Sequence, residues 1–129
     1  MHRFATASLG KPWKLLGRGP DSYDCWGFVI AVFGSADIII PDFEYLSEDV
    51  GRIVINKAGS SFVAGSFSKT PFENALVALS NINAEEITHV GICLNNKIYH
   101  CLEKRGVVCN NIDVINKLFR HVVFWRVYA

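Results

Sequence analysis

The stretch Tyr23-Asp24-Cys25-Trp26-Gly27-Phe28-Val29 decides how this chain is read. Before it lies a turn-rich segment, Gly17-Arg18-Gly19-Pro20-Asp21-Ser22, and after it the chain stays apolar as far as Phe33. A turn feeding a buried helix puts Cys25 on the first helical turn, with Asp24 as its N-cap. A thiol there meets unpaired backbone N–H groups and the positive end of the helix dipole. Both favour the thiolate, the reactive form. Cysteine is also among the most buried residue types and often only fills space. Catalysis at Cys25 therefore requires a base elsewhere in the chain.

Outward from Cys25, residues 25–33 are apolar nearly all round, which predicts a central helix buried on several sides. The β-branched Val29, Ile30 and Val32 also suit a strand. Gly34 supplies a stop signal. Upstream, residues 1–22 have little periodicity and many turn formers, so they read as an ordered surface loop. Trp13 either anchors that loop by packing or lines a cleft. Downstream, Pro41 and Asp42 mark a turn. A second helix fits 47–58, with Ser47 as N-cap, Glu48 and Asp49 in the first turn and Gly59 at the end. Residues 60–71 read as a loop or a short strand. From Phe72 the period changes, and strands are predicted over 75–79, 88–94, 97–102, 106–109 and 121–127. A short helical turn over 112–119 precedes the last of them. Helices followed by an antiparallel meander give an α+β domain.

Length and composition narrow the function classes. The 129 residues suggest one domain with one core, and half of them are hydrophobic. A net charge of +1 and the lack of a Lys/Arg run give no nucleic-acid signal. Apolar runs such as 28–33 are too short to span a bilayer. Met1-His2-Arg3-Phe4 has no extended apolar core, which argues against a cleaved signal peptide. The cysteines, Cys25, Cys93, Cys101 and Cys109, form no CxxC pair and read as free thiols.

The base is found in a predicted hairpin. His89 begins Thr88-His89-Val90-Gly91-Ile92-Cys93-Leu94, and His100 ends Lys97-Ile98-Tyr99-His100. Asn95-Asn96 between them is a two-residue turn signal, because Asn tolerates positive φ. Pairing Leu94 with Lys97 sets Gly91 opposite His100 and puts His89 and His100 on one face. The two histidines are then diagonal neighbours, with Cβ atoms about 6–8 Å apart. Gly91 leaves room for the His100 ring. A nucleophilic thiol needs a histidine to take its proton and return it to the leaving amine, and a third polar group to orient that histidine. Cys25, His89 and His100 can fill these roles. Read alone, each histidine is an ordinary strand residue. His2 reads as terminal and mobile, and His121 as a structural residue opening the last strand.

Three blocks now resemble the NlpC/P60 cysteine peptidases: Asp24-Cys25-Trp26-Gly27-Phe28-Val29, His89-Val90-Gly91-Ile92 and Ile98-Tyr99-His100. The segments 17–23 and Pro41-Asp42-Phe43 are most similar to the branch found in phage tail proteins, where Trp commonly follows the nucleophile. The resemblance covers about residues 13–127. It implies a papain-like α+β fold over 1–129, with N-terminal helices packed on a central antiparallel sheet. It implies cleavage of amide or peptide bonds in peptidoglycan stem peptides, often next to D-glutamate and diaminopimelate. Carried across, Cys25 is the nucleophile, His89 the base and His100 the orienter, and the Cys25 backbone N–H is an oxyanion donor. Asp24 and Trp26 flank the nucleophile and shape the substrate groove. The resemblance calls for no metal or cofactor. Its implied partners are bacterial peptidoglycan and other phage tail proteins, and its implied setting is the virion tail, or the host cytoplasm during assembly.

The chain departs from the family pattern in places. The hairpin is one residue shorter than the usual Gly-Asn-Gly form, and Glu73-Asn74 replaces the usual Gly-Asp before the first strand of the meander. The 81–86 connection is longer. The tyrosine that often supports the oxyanion site from upstream has no clear equivalent, since Tyr23 is adjacent to Cys25. Other functions remain open. A phage tail component could keep the fold without turnover. His89, Cys93, His100 and Cys109 could gather on one face and bind zinc, although their spacing matches no familiar finger or ribbon. The same triad could also pass its acyl group to an acceptor other than water.

Overall fold

The computed structural model describes residues 1–45, 53 and 63–127. Its framework is an antiparallel sheet of β1 (Val63–Ser68), β2 (Ala75–Asn81), β3 (His89–Leu94), β4 (Lys97–Leu102), β5 (Gly106–Asn111) and β6 (Phe119–Val127). The spatial order is β1-β6-β2-β3-β4-β5. Strands β2 to β5 follow one another as a meander. β6 then crosses back to pair with the free side of β2, and β1 lies outside it. An α+β fold with a central antiparallel sheet is thus what the period change at Phe72 predicts.

Three helices dress this sheet among the described residues: α1 (His2–Ala7), α2 (Cys25–Gly34) and α3 (Ile112–Leu118). α2 packs on β3 and β4 from one face, and α3 packs on β5 and β6 from the other. Strand alternation sorts the meander residues between two cores. Leu76, Val90, Ile92, Leu94 and Cys101 meet α2, while Ala75, Val77, Leu79, Cys93 and Ile98 meet Ile115 of α3 and Phe119. β2 lies between both layers, so its residues are buried on both faces as far as Ser80. A strand covered on two sides reads as continuous apolar sequence, as Ala75–Leu79 does.

The β3–β4 hairpin has the predicted register, with Leu94 paired to Lys97 and Gly91 to His100. Asn95 and Asn96 have φ of 54° and 60°, the two positive values of a type I′ turn. A Cβ at Gly91 would lie 2.8 Å from the Tyr99 carbonyl oxygen and 3.0 Å from His100 Cβ, so only glycine admits the histidine opposite.

The amino-terminal segment differs from its expected form. Residues 1–22 were expected as loop, but α1 forms there, with Ala5 fully buried and Phe4 packed on the α2 core. A six-residue helix carries too little periodicity to be read from sequence, and packing holds it rather than propensity. His2, expected to be mobile, places Nε2 3.0 Å from the Tyr99 hydroxyl and its ring edge-on to the tyrosine. The undecided 60–71 stretch contains β1. The helix expected over 47–58 lies outside the described residues, apart from Ile53.

Candidate active site

The α2 start is built as the sequence predicts. Asp24 is the N-cap, and its Oδ1 accepts from the Gly27 N–H at 2.8 Å. Cys25 follows on the first turn and is 5% exposed. Gly27 lets the preceding loop close onto the helix. A Cβ there would stand 1.9 Å from the Gly17 carbonyl oxygen, with backbone on both sides of the clash. This contact fixes the 17–24 turn against α2 and so fixes the direction in which Cys25 leaves the helix.

Asp24 holds more than a cap. Oδ1 also accepts from Arg18 Nη1 at 2.9 Å, and Oδ2 accepts from the Leu16 N–H at 2.9 Å and the Tyr45 hydroxyl at 2.7 Å. A carboxylate offers about four lone-pair sites, and these four donors fill them. Arg18 in turn spans to Asp42 at 2.8 Å. Burial works against the Arg18 charge, but the bond to Asp42 and the Asp24 charge outweigh it and keep the guanidinium protonated. Burial, then the Asp24 bond and charge, pushes the Tyr45 hydroxyl pKa well up, so it stays a donor. Asp24 is therefore a brace between loop and helix, and it also lines the cavity beside Cys25.

Trp26, expected beside the groove, is turned inward. It has no exposed surface, its indole N–H donates to the Pro41 carbonyl at 3.1 Å, and its ring stacks on Phe43. Successive residues at a helix start point about 100° apart, so a groove-facing Cys25 directs its neighbour into the core.

The histidines arrive from the α3 face of the sheet. His89 Nε2 lies 2.9 Å from His100 Nδ1 in a buried contact, and the His89 ring stacks on Phe119. The row continues to Asn110 of β5, whose Oδ1 is 2.7 Å from His100 Nε2. Burial, then the neighbouring His100, holds the His89 pKa well below its ordinary value. Burial also lowers that of His100, although its bond to Asn110 works upward. Both rings are therefore neutral near pH 7.

Cys25 and His89, the first residue of β3, both line one cavity of about 520 Å³. Trp13, Leu15, Tyr45, Leu102, Leu118 and Phe119 supply most of its apolar and aromatic wall, and Thr88 and Glu103 add polar groups. Trp13 both packs on the core and lines this cleft. The thiol differs from its expected state. Burial, then the Asp24 charge, pushes Cys25 up to about 12, against backbone hydrogen bonds to Val90 and Trp26 that favour the thiolate. Desolvation thus outweighs the helix dipole, and the resting pair is a neutral thiol beside a neutral imidazole. All four cysteines are free thiols. Among the described residues, no three His, Cys, Asp or Glu side chains converge as metal ligands.

Sequence reasoning missed Asn110 and Tyr45. Asn110 was within its reach: carrying the register past Gly106 pairs His100 with Val108 and Ile98 with Asn110, which sets Asn110 diagonal to His100 on the same face. Tyr45 gives no local signal, because its link to Asp24 spans 21 positions and depends on how the chain leaves α2.

Comparison with known proteins agrees with this architecture. Residues 10–123 match the NlpC/P60 family. Among curated protein sequences none matches the chain. Several solved structures share the fold. NlpC1 from Trichomonas vaginalis has a TM-score of 0.66 at 18% identity, covering 96% of this chain and 41% of that protein. The NlpC/p60 domain of the peptidoglycan hydrolase SagA has a TM-score of 0.64 at 15% identity, covering 95% and 93%. A lipoprotein-like protein of the NLP/P60 family from Staphylococcus aureus has a TM-score of 0.65 at 21% identity, covering 99% and 40%. The chain thus spans about two fifths of the Trichomonas and Staphylococcus proteins and nearly all of the SagA domain. With the family match extending over most of its length, the chain belongs to the NlpC/P60 family.

Proposed function

We propose that this protein is a cysteine hydrolase that cuts amide or peptide bonds in peptidoglycan stem peptides. The observation that carries the reading is the buried His89–His100 contact, with His89 lining the same cavity as Cys25. Family membership supports the reaction class, and the SagA domain, which nearly matches this chain in extent, is that of a peptidoglycan hydrolase.

Cys25 Sγ attacks the scissile carbonyl while its proton passes to His89. Because burial disfavours an isolated thiolate here, proton transfer accompanies attack rather than preceding it. The negative charge moves to the carbonyl oxygen, within reach of the Cys25 N–H, one of the donors a helix start leaves without an intrahelical acceptor. Collapse breaks the C–N bond, and His89 returns the proton to the leaving amine. Water then attacks the thioester with His89 again as base, and Cys25 is released as thiol. His100 orients His89 throughout. Asp24 and Arg18 hold the turn that aims Cys25. Transfer to an amine instead of water follows the same path up to the thioester.

The setting we propose is a phage tail acting in cell-wall penetration, with other tail proteins as partners. It rests on residues 17–23, Trp26 and residues 41–43. The hydrolase reading is tested by digesting purified peptidoglycan with wild type and Cys25→Ala, followed by mass spectrometry of the fragments. New free amino termini in stem peptides released only by wild type are expected. Identical fragments from both proteins overturn the reading.

A further inference from the structure

We propose that Asn110 is a positioning residue that sets the direction of the hydrogen-bond row from His100 to His89, and thereby decides which nitrogen of His89 can accept a proton. The inference rests on the hydrolase reading given above.

The row has three members and two contacts: Asn110 Oδ1 to His100 Nε2 at 2.7 Å, and His100 Nδ1 to His89 Nε2 at 2.9 Å. Each neutral imidazole carries one N–H, so each contact can run only one way at a time. An amide oxygen accepts and never donates. Facing Oδ1, His100 must carry its proton on Nε2. Its Nδ1 is then bare and accepts from His89 Nε2–H. The Nδ1 of His89 is left unprotonated, and a base requires such an atom.

The opposite direction has the opposite consequence. If the Asn110 amide group donated to His100 Nε2, His100 would carry its proton on Nδ1 and donate it to His89 Nε2. His89 would then be protonated on Nδ1 and hold no lone pair for the thiol proton. The asparagine selects the productive one of two otherwise similar tautomer pairs. The histidines are too deeply buried for solvent to do this: His100 has no exposed surface and His89 is 9% exposed. When His89 takes the Cys25 proton and becomes cationic, its Nε2–H bond to the fixed His100 lone pair strengthens, so the row also stabilises the charge formed during attack.

The test combines nitrogen-15 NMR of the imidazoles with steady-state kinetics on peptidoglycan stem peptides. In wild type, both histidines are expected to be protonated on Nε2. Asn110→Leu removes the acceptor, and His100 is expected to lose its fixed tautomer, with kcat falling about 10- to 100-fold and KM nearly unchanged. Asn110→Asp keeps an oxygen at the same place and is expected to restore the wild-type tautomer and most of kcat. Protonation of His89 on Nδ1 in wild type overturns the proposal, as does an Asn110→Leu protein with unchanged kcat. The tautomer measurement on wild type needs neither turnover nor a folded variant. A wild type that leaves stem peptides uncut overturns the hydrolase reading and is thereby distinguished from failure of the relay.

Discussion

Replacing Asp24 separates a brace from a substrate ligand. Its carboxylate accepts from the Gly27 and Leu16 amides, from Arg18 and from Tyr45. In Asp24→Ala, loss of the helix cap costs about 1 kcal/mol. The Tyr45 hydroxyl, buried beside it, loses its acceptor at about 1–3 kcal/mol, and the Leu16 amide adds about 1 kcal/mol. Arg18 keeps Asp42, so its loss is smaller than that of an orphaned buried charge. Neighbouring losses overlap, which gives about 4 kcal/mol in all. Asp24→Asn keeps the volume and the cap oxygen but turns an N–H₂ toward the Leu16 amide, and about 2 kcal/mol is expected. Urea unfolding measures both as shifts in midpoint at constant m. Removing the charge also takes away one cause of the raised Cys25 pKa, so folded Asp24→Asn should be alkylated at Cys25 faster than wild type at the same pH. An Asp24→Asn protein of wild-type stability with a sharply raised KM refutes this reasoning, because Asp24 would then be binding substrate.

Other perturbations test neighbouring parts of the account. Gly27→Ala places a Cβ 1.9 Å from the Gly17 oxygen with backbone on both sides; a loss of about 3 kcal/mol or more is expected in urea, and a neutral result refutes the close approach. His89 and His100 both have folded pKa values below their unfolded value of about 6.5. Their stabilisation is therefore full above about pH 6.5 and is lost as pH falls toward the folded values, by up to about 1.4 kcal/mol per pH unit for each histidine. Urea midpoints between neutral and acid pH should fall more steeply in wild type than in His89→Asn/His100→Asn, and equal slopes contradict the burial argument. With its pKa pushed up to about 12, Cys25 should react with iodoacetamide about tenfold faster for each pH unit through the neutral and alkaline range. A rate that is already at plateau below pH 7 refutes a neutral resting pair.

What the sequence discloses depends on the range over which each feature is determined. The α2 start is local: a turn, Asp24 as cap and an apolar run name it within a few residues. The hairpin is nearly as local, because the Asn95-Asn96 turn fixes the register and the register fixes which histidines share a face. Asn110 needed only one more hairpin carried through. The state of the Cys25 thiol was misjudged because it is a balance. The helix dipole is visible in sequence, whereas the depth of burial between α2 and the sheet is known only once the tertiary structure exists. Trp26 was misplaced for a related reason, whereas Asp24 does line the cavity beside Cys25. Adjacency to a nucleophile says which residues are near it, but side-chain direction on the helix and partners such as Tyr45 decide whether they face substrate. Helix α1 escaped notice because a single buried alanine and a half-buried phenylalanine hold it.

The central claim is that Cys25 becomes covalently acylated. The direct measurement is to mix wild-type protein with peptidoglycan stem peptides, quench in acid, digest, and weigh the fragment that contains Cys25. The account predicts that this fragment gains the mass of the acyl half of the substrate, that the gain vanishes in Cys25→Ala, and that it persists longer when His89 is replaced. Stem peptides cut at the wild-type rate by Cys25→Ala, with no mass gained on Cys25 in wild type, would contradict it.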